Sequence, residues 1–274
     1  MIYKLIAMDL DGTLNNDQKV IDTPTLDILM AAQKAGIRLV LASARPLPGL
    51  YKDRDLLRMQ DHGGFLMAYN GGAIADASTS KLLSTHTMDM EHARRVLRTL
   101  EDLPVTPILD DGKIFYVADR NGYMVDYECR NNRMTCIEVP NLAKRLDFAP
   151  FKLLMSVDPT IIKRVQKEIA VLLPEELTVV QTAAFYLEVI PTAINKGNAL
   201  ESICLLMGID PSQAVAFGDS ENDIPMLKAA GLGIAMQNAD AKVQAAADRV
   251  TLSNNENGIA AALKMILEES NDIR

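Results

Sequence analysis

Apolar and polar positions along the chain fall into two regimes. In the first, short unbroken apolar runs are bounded by turn residues: Leu5 to Met8, Ile37 to Ala42, Phe65 to Tyr69, Ala214 to Phe217 and Gly233 to Ala235. Runs of this length without alternation read as strands covered on both faces, the signature of a parallel sheet. Segments with helical spacing lie between them. Asp22-Thr23-Pro24 reads as a cap with proline in the first turn. The buried side of that helix is Leu26, Leu29, Met30 and Ala32 to Ala35, and Gly36 ends it. Strand, helix and strand make a right-handed βαβ unit. Helices are also predicted from about Leu47 to Met59, up to Gly208, through Met226 and Leu227, near Ala241 to Ala247, and from Ile259 to Leu267. A hairpin from Ala73 to Ser84 and a strand from Arg249 to Thr251 complete this regime. The polar stretch Glu268 to Arg274 is expected to fray.

The second regime runs from His86 to about Val189. Helical spacing from Met90 to Leu103 is followed by two strands, Thr106 to Leu109 and Lys113 to Ala118, and a helix from Gly122 to Asn131. Phe151 to Val157, a helix from Thr160 to Leu173, and strands Leu177 to Thr182 and Tyr186 to Ile190 read as a second copy. Strands joined by short turns, with helices on one side, describe a small antiparallel α+β unit. The chain is therefore expected to be α/β. A Rossmann-like parallel-sheet domain, residues 1–85 and 190–274, is interrupted by an inserted α+β domain, residues 86–189.

Composition narrows the function. With 274 residues, 49% hydrophobic and 23% charged, the chain can bury a substantial core and has an ordinary globular make-up. A net charge of −8 argues against nucleic acid or anionic lipid as the main partner. No apolar run is long enough to span a bilayer, and Met1-Ile2-Tyr3-Lys4 carries no leader pattern. Cys129, Cys136 and Cys204 show no metal-type spacing, and they suit small buried positions in a reducing cytoplasm. His62, His86 and His92 are scattered and form no ligand pattern.

The chemistry starts at Asp9-Leu10-Asp11-Gly12-Thr13. Such a tetrapeptide is an ordinary turn in many chains, with Asp bonding its own backbone and Gly supplying positive φ. Here it follows the first strand, and in open α/β sheets ligands bind at the carboxyl ends of strands. Two neighbouring carboxylates repel unless a cation or proton lies between them, which suggests a hard divalent metal with oxygen ligands. Ser43, Lys196 and the cluster Asp219 to Asp223 are brought to the same edge. A carboxylate, a hydroxyl, an ammonium and an acidic cluster suit phosphoryl transfer, which depends on positioning and charge neutralisation. Asp9 is the candidate nucleophile, forming an aspartyl-phosphate. Asp11 is the candidate acid and base, Asp219 a metal ligand with Asp9, and Asp223 a group holding the metal or its waters from farther out. Lys196 is disfavoured at a helix start unless an anion is near. Ser43, Asp219 and Asp223 each have a helix-capping alternative. Asn70 reaches the same edge, and Arg45 is as suited to pairing with a carboxylate as to touching substrate.

Asp9 to Thr13, Ser43, Lys196 and Gly218-Asp219-Ser220-Glu221-Asn222-Asp223 resemble, in order, the four motifs of the haloacid dehalogenase superfamily. The insertion between the second and third motifs is similar to the type-C2 cap. With Tyr69-Asn70-Gly71 and Asn195-Lys196-Gly197, the resemblance extends to the Cof-type sugar-phosphate phosphatases and covers essentially the whole chain. It implies a metal, Mg2+, bound by the Asp9 carboxylate, the Asp11 backbone carbonyl and Asp219. It also implies phosphate contacts from Ser43, Lys196 and Asn222; Gly12 and Asn70 join them as candidate binding residues at the same edge. One departure is visible: Ala44 stands where the family usually has glycine.

The expected function is thus a magnesium-dependent phosphatase of small phosphorylated metabolites, monomeric or homodimeric. A phosphomutase of the same fold and a non-catalytic phospho-ligand sensor are the alternatives. A cap closing over the site would exclude water and supply contacts to the rest of the substrate. The candidates there are Tyr116, Arg120, Tyr123, Tyr127, Phe185 and Tyr186, each of which also suits cap core or surface.

Overall fold

The computed structural model describes residues 3–272. By internal contacts the chain divides into two compact units, one of residues 1–44, 50–85 and 195–274, the other of residues 45–49 and 86–194.

The first unit opens with β1 (Leu5–Asp9), α1 (Thr23–Lys34), β2 (Arg38–Ala42), α2 (Tyr51–Leu56), α3 (Met59–His62), β3 (Gly64–Ala68), β4 (Ala73–Asp76) and β5 (Leu82–Thr85). The second unit holds α4 (Met90–Leu100), β6 (Thr106–Asp110), β7 (Ile114–Val117), α5 (Val125–Asn131), β8 (Thr135–Glu138), α6 (Leu142–Arg145), β9 (Leu153–Ser156), α7 (Ile162–Leu172), β10 (Leu177–Ala183) and β11 (Tyr186–Pro191). The chain returns to the first unit with α8 (Lys196–Met207), β12 (Ala214–Gly218), α9 (Ile224–Ala229), β13 (Leu232–Ala235), α10 (Ala241–Gln244), β14 (Arg249–Val250) and α11 (Gly258–Asp272).

The first sheet has the order β14-β13-β12-β1-β2-β3-β4-β5. It is parallel from β14 to β3 and antiparallel where β4 and β5 extend it. Strand β1 is buried along its whole length, as its unbroken apolar run requires. Leu5, Ala7, Val40, Ala42 and Ala216 pack with Ala199, Leu200 and Ile203 of α8 and with Met226 and Leu227 of α9. Helices α1 and α11 contact each other in the same unit. The chain winds out from β1 through β2 to β3, then restarts on the other side at β12. The order reverses between β1 and β12, and such a switch point is where α/β sheets bind ligands.

Three local expectations change. The helix expected over 47–59 is split into a 3₁₀ turn (Leu47–Leu50), α2 and α3, and Arg58, with a left-handed φ of 51°, separates α2 from α3. Asp22 precedes α1 but makes no capping bond with its side chain; its Oδ1 accepts from Asn16 Nδ2 at 3.0 Å instead. The tail expected to fray continues α11 as far as Asp272, and Ile273 and Arg274 lie outside the described residues.

The second sheet has the order β10-β11-β9-β6-β7-β8. Alternate residues face opposite sides of a strand, and two cores result. Leu109, Tyr116, Leu153 and Met155 pack with Val96, Leu97, Leu142, Val165 and Ile169 of α4, α6 and α7. Ile108, Phe115, Val117 and Leu154 pack with Val125 and Cys129 of α5. Helices therefore cover both faces, not one. Nor is the sheet wholly antiparallel: β7 and β8 are parallel. Strand β8, which carries only four residues with one buried, has too little apolar pattern to be read from sequence. The helix α5 between β7 and β8 makes a crossover, and a crossover delivers a parallel partner. Leu177↔Pro191 is a pair of the β10–β11 ladder. The second unit therefore runs past Val189, to Ile194.

Candidate active site

Strand register assembles the site. Asp9 ends β1 opposite Ala42 of β2, so Ser43 follows directly at the neighbouring strand end. On the other side Met8 pairs with Phe217, which sets Gly218 beside Asp9 and makes Asp219 the first residue beyond the sheet. Neighbouring strands lie about 4.8 Å apart, so three loops meet at one edge. Ser43 N–H donates to Met67 O at 2.8 Å and Asn70 N–H to Ser43 O at 2.9 Å, adding the loop after β3.

Lys196, the first residue of α8, is fully buried. Its Nζ donates to Asp9 Oδ1 at 2.6 Å, Asp223 Oδ1 at 2.6 Å and Ala42 O at 3.3 Å. A cation at a helix N-terminus opposes the helix dipole, and two carboxylates offset this. Burial disfavours the charged ammonium, but Asp223 and Asp9 outweigh it and raise the Lys196 pKa.

Asp219 Oδ1 accepts from Thr13 Oγ1 at 2.6 Å, and Asp219 Oδ2 accepts from Ser220 Oγ at 3.3 Å. Asp223 Oδ2 accepts the backbone N–H groups of Asp219 and Ser220, each at 3.0 Å. The turn is thereby closed by the same carboxyl that holds Lys196. Gly12 has φ +90°, and a Cβ there would lie 2.4 Å from Asp219 Oδ2. Only glycine lets this loop approach so closely.

Asp9, Asp219 and Asp223 each offer an oxygen, and the three atoms lie within 4.8 Å of one another. Three carboxylates face one ammonium. Burial raises the Asp9 pKa well above the usual carboxylate range; Lys196 works against this, and Asp223 and Asp219 add to it. Burial and the charge of Asp223 push Asp219 up to about 6. This excess of buried negative charge, presented by oxygen donors, fits a hard divalent cation. The carboxylate of Asp11 stands apart from the three and accepts from Lys19 Nζ at 2.6 Å, with both side chains partly exposed.

Asn222 Nδ2 donates to Asn70 Oδ1 at 2.9 Å, so the two carboxamides orient each other. Asn70 and Tyr69 both have positive φ, 57° and 53°. Strained non-glycine backbone of this kind gathers at functional loops. Four contacts were not anticipated from sequence: Thr13 to Asp219, Lys19 to Asp11, Asn238 Nδ2 to Gly12 O at 2.8 Å, and Asn254 Nδ2 to Asn15 O at 3.1 Å. Asn238 and Asn254 follow β13 and β14, and their place after parallel strands was the available signal.

Residues 6–263 match the model of the haloacid dehalogenase-like hydrolases. The chain belongs to this family. Bacillus subtilis (strain 168) YxeH is 32% identical over 271 residues, covering 96% of this chain and 97% of the relative. The 5-amino-6-(5-phospho-D-ribitylamino)uracil phosphatase YcsE of the same organism is 29% identical over 265 residues, 95% of this chain and 94% of the relative. A crystal structure of a haloacid dehalogenase-like hydrolase from Bacteroides thetaiotaomicron superposes with a TM-score of 0.89 at 32% identity, covering 96% of this chain and 99% of that one. The enzyme class is phosphoric monoester hydrolase. No helix of the described residues of this haloacid dehalogenase-like hydrolase is long and apolar enough to cross a membrane.

The cap candidates divide by their surroundings in the second unit. Tyr116 is buried, donates to Asp111 Oδ2 at 2.9 Å and lies under Arg145. Tyr186 is buried and donates to Met124 O at 2.9 Å. Both are fixed by the unit's own packing. Phe185 stands edge-on to Tyr123 and Tyr127, which are exposed. Arg120 is exposed, with its N–H on Glu138 Oε2 at 3.0 Å. Arg45 groups with this unit and donates to Asn131 Oδ1 at 3.2 Å.

Proposed function

We propose that this hydrolase removes the phosphoryl group from small phosphorylated metabolites, sugar or polyol phosphates among them, through a phospho-aspartyl intermediate on Asp9. The observation that carries the reading is the Asp9 carboxylate, buried at the switch point with Oδ1 held by Lys196 at 2.6 Å. Lys196 keeps the carboxylate oriented and leaves Oδ2 to attack phosphorus.

In the first half-reaction a bond forms between Asp9 Oδ2 and phosphorus while the ester P–O bond breaks. Asp11 delivers a proton to the leaving alcohol oxygen. In the second, water attacks the phosphoryl group, Asp11 takes its proton, and Asp9 departs as carboxylate with release of orthophosphate. Ser43, Asn222 and Asn70 hold the phosphoryl oxygens together with the backbone of Gly12 and Thr13. Asp9, Asp219, the Asp11 carbonyl and, from farther out, Asp223 would hold a divalent cation, magnesium on this reading, which supplies charge neutralisation at the phosphoryl oxygens when bound. The inserted domain, residues 86–194, acts as a cap that confers specificity, and the protein works in the cytoplasm as a monomer or homodimer. The name of the relative YcsE, with its phosphoribityl substrate, supports the polyol phosphate class.

The test is phosphate release from p-nitrophenyl phosphate and a panel of sugar and polyol phosphates, with magnesium and with chelator. The expected result is magnesium-dependent release that falls by at least about a thousandfold in Asp9→Asn. Phosphoryl return to a second sugar position without net release would point to a mutase. Ligand binding without turnover would make the protein a sensor.

A further inference from the structure

The loop that carries Asp11 and Gly12 is gripped from outside by a set of asparagines. Asn238, in the turn after β13, donates through Nδ2 to Gly12 O at 2.8 Å and accepts the N–H of Asn254 on Oδ1 at 3.0 Å. Asn254, in the turn after β14, donates to Asn15 O at 3.1 Å and Asp17 Oδ1 at 3.2 Å. Asn255 adds a bond to Asp17 Oδ2 at 2.9 Å and receives the Asp17 N–H at 3.1 Å. Three strand-end loops are thus tied into one clasp, and all of it lies in the first unit.

The bond to Gly12 has a directional consequence. Within the loop, Leu14 N–H goes to Asp9 O at 3.1 Å and Asn15 N–H to Leu10 O at 2.8 Å. Asp11 and Asn15 form a parallel bridge, which engages the Gly12 N–H, whereas the Thr13 N–H has no acceptor among the described residues. In a trans peptide the carbonyl and the following N–H point in opposite directions. Anchoring the Gly12 carbonyl on Asn238 therefore turns the Thr13 N–H to the opposite side of the peptide. Gly12, at φ +90°, has no side chain to hold that plane itself. Thr13 must also keep its hydroxyl on Asp219.

We infer that Asn238 is a positioning residue for phosphoryl transfer: its carboxamide sets the Gly12–Thr13 peptide so that the Thr13 N–H faces the phosphoryl group. This rests on the reading of Asp9 as the phosphorylated residue. Among the described residues, the Asn238 side chain bonds Gly12 and Asn254 and not the three-carboxylate cluster.

Asn238→Asp separates its two bonds. The variant still accepts from Asn254 N–H but offers no donor to Gly12. Asn238→Ala loses both. Gln237→Glu, an exposed neighbour, adds the same charge without touching the clasp. Turnover, KM, melting temperature and orthophosphate affinity by calorimetry are measured for all four proteins. The expected result is a kcat at least about tenfold lower in both Asn238 variants. KM should stay within about threefold and orthophosphate should bind more weakly, with Gln237→Glu unchanged. A melting temperature for Asn238→Asp near wild type excludes a purely structural role. Wild-type turnover and orthophosphate affinity in Asn238→Asp would overturn the inference. Should the wild type turn over no ester, the phosphatase reading fails. The orthophosphate affinities then decide the clasp by themselves, weaker binding in both variants upholding it and equal binding sinking it.

Discussion

Lys196 Nζ meets Asp9 Oδ1 at 2.6 Å across 187 residues of sequence, in a place with no exposure of the lysine. The same ammonium meets Asp223 at 2.6 Å, so one buried cation answers two buried carboxylates. Removing one partner of a buried ion pair costs far more than the pair contributes, because the remaining charge is stranded. Lys196→Met should therefore destabilise the protein by about 3–5 kcal/mol as well as abolish turnover. Chemical denaturation is the measurement, repeated with added magnesium. A variant of wild-type stability would contradict the central role given to this lysine. A larger magnesium-induced rise in melting temperature for Lys196→Met than for wild type is also expected.

The titration of the acidic cluster has a definite sign. Burial and Asp223 push Asp219 up to about 6, and burial raises Asp9 despite Lys196. An aspartate in the unfolded chain titrates near about 3.9. Between pH about 4 and 6 the native, cation-free protein therefore holds more protons than the unfolded chain, and its stability falls as pH rises through that window. Binding of a divalent cation displaces those protons, so cation affinity should increase as pH rises through about 6, where Asp219 titrates. Calorimetric titration at pH 5.5 and 7.5, in buffers of different ionisation enthalpy, measures both the affinity and the protons released. Equal affinity at the two pH values would be inconsistent with the raised carboxyls.

Gly12 and Gly36 share a φ of +90°, but their surroundings differ. A Cβ at Gly12 would strike Asp219 Oδ2 at 2.4 Å, whereas one at Gly36 would meet nothing within 4 Å. Both alanine variants should pay backbone strain of about 1–2 kcal/mol. Only Gly12→Ala should also lose cation affinity and turnover, by at least about tenfold. The matched pair separates strain from displacement of Asp219, and equal activity in the two variants would refute the distinction.

In the second unit, Lys152 Nζ donates to Glu188 Oε1 at 2.6 Å, with each side chain only 3% exposed. Thr182 Oγ1 also reaches Glu188 Oε1, at 3.3 Å. Lys152→Met should lower stability by about 3–5 kcal/mol, while Lys152→Met with Glu188→Leu should recover most of the loss. Denaturation of both variants in the full chain checks this, and a double variant as weak as the single one would count against it.

Sequence alone determined the α/β class and the strand ends from which the candidate site motifs hang. Unbroken apolar runs such as Leu5 to Met8 are local signals, and burial on both faces leaves a strand little choice. It also marked Asp9, Ser43, Lys196 and Asp219 as candidates, since each follows a strand or opens a helix. Strand β8 escaped because four residues at a sheet edge need little apolar pattern. What only the tertiary structure decided was pairing. Lys196 binds Asp9 and Asp223, the Asp11 carboxylate goes to Lys19 and not to the acidic cluster, and Asn238 takes the Gly12 carbonyl. Those choices depend on strand order and register between segments far apart in the chain, and a one-residue shift in register would change every partner.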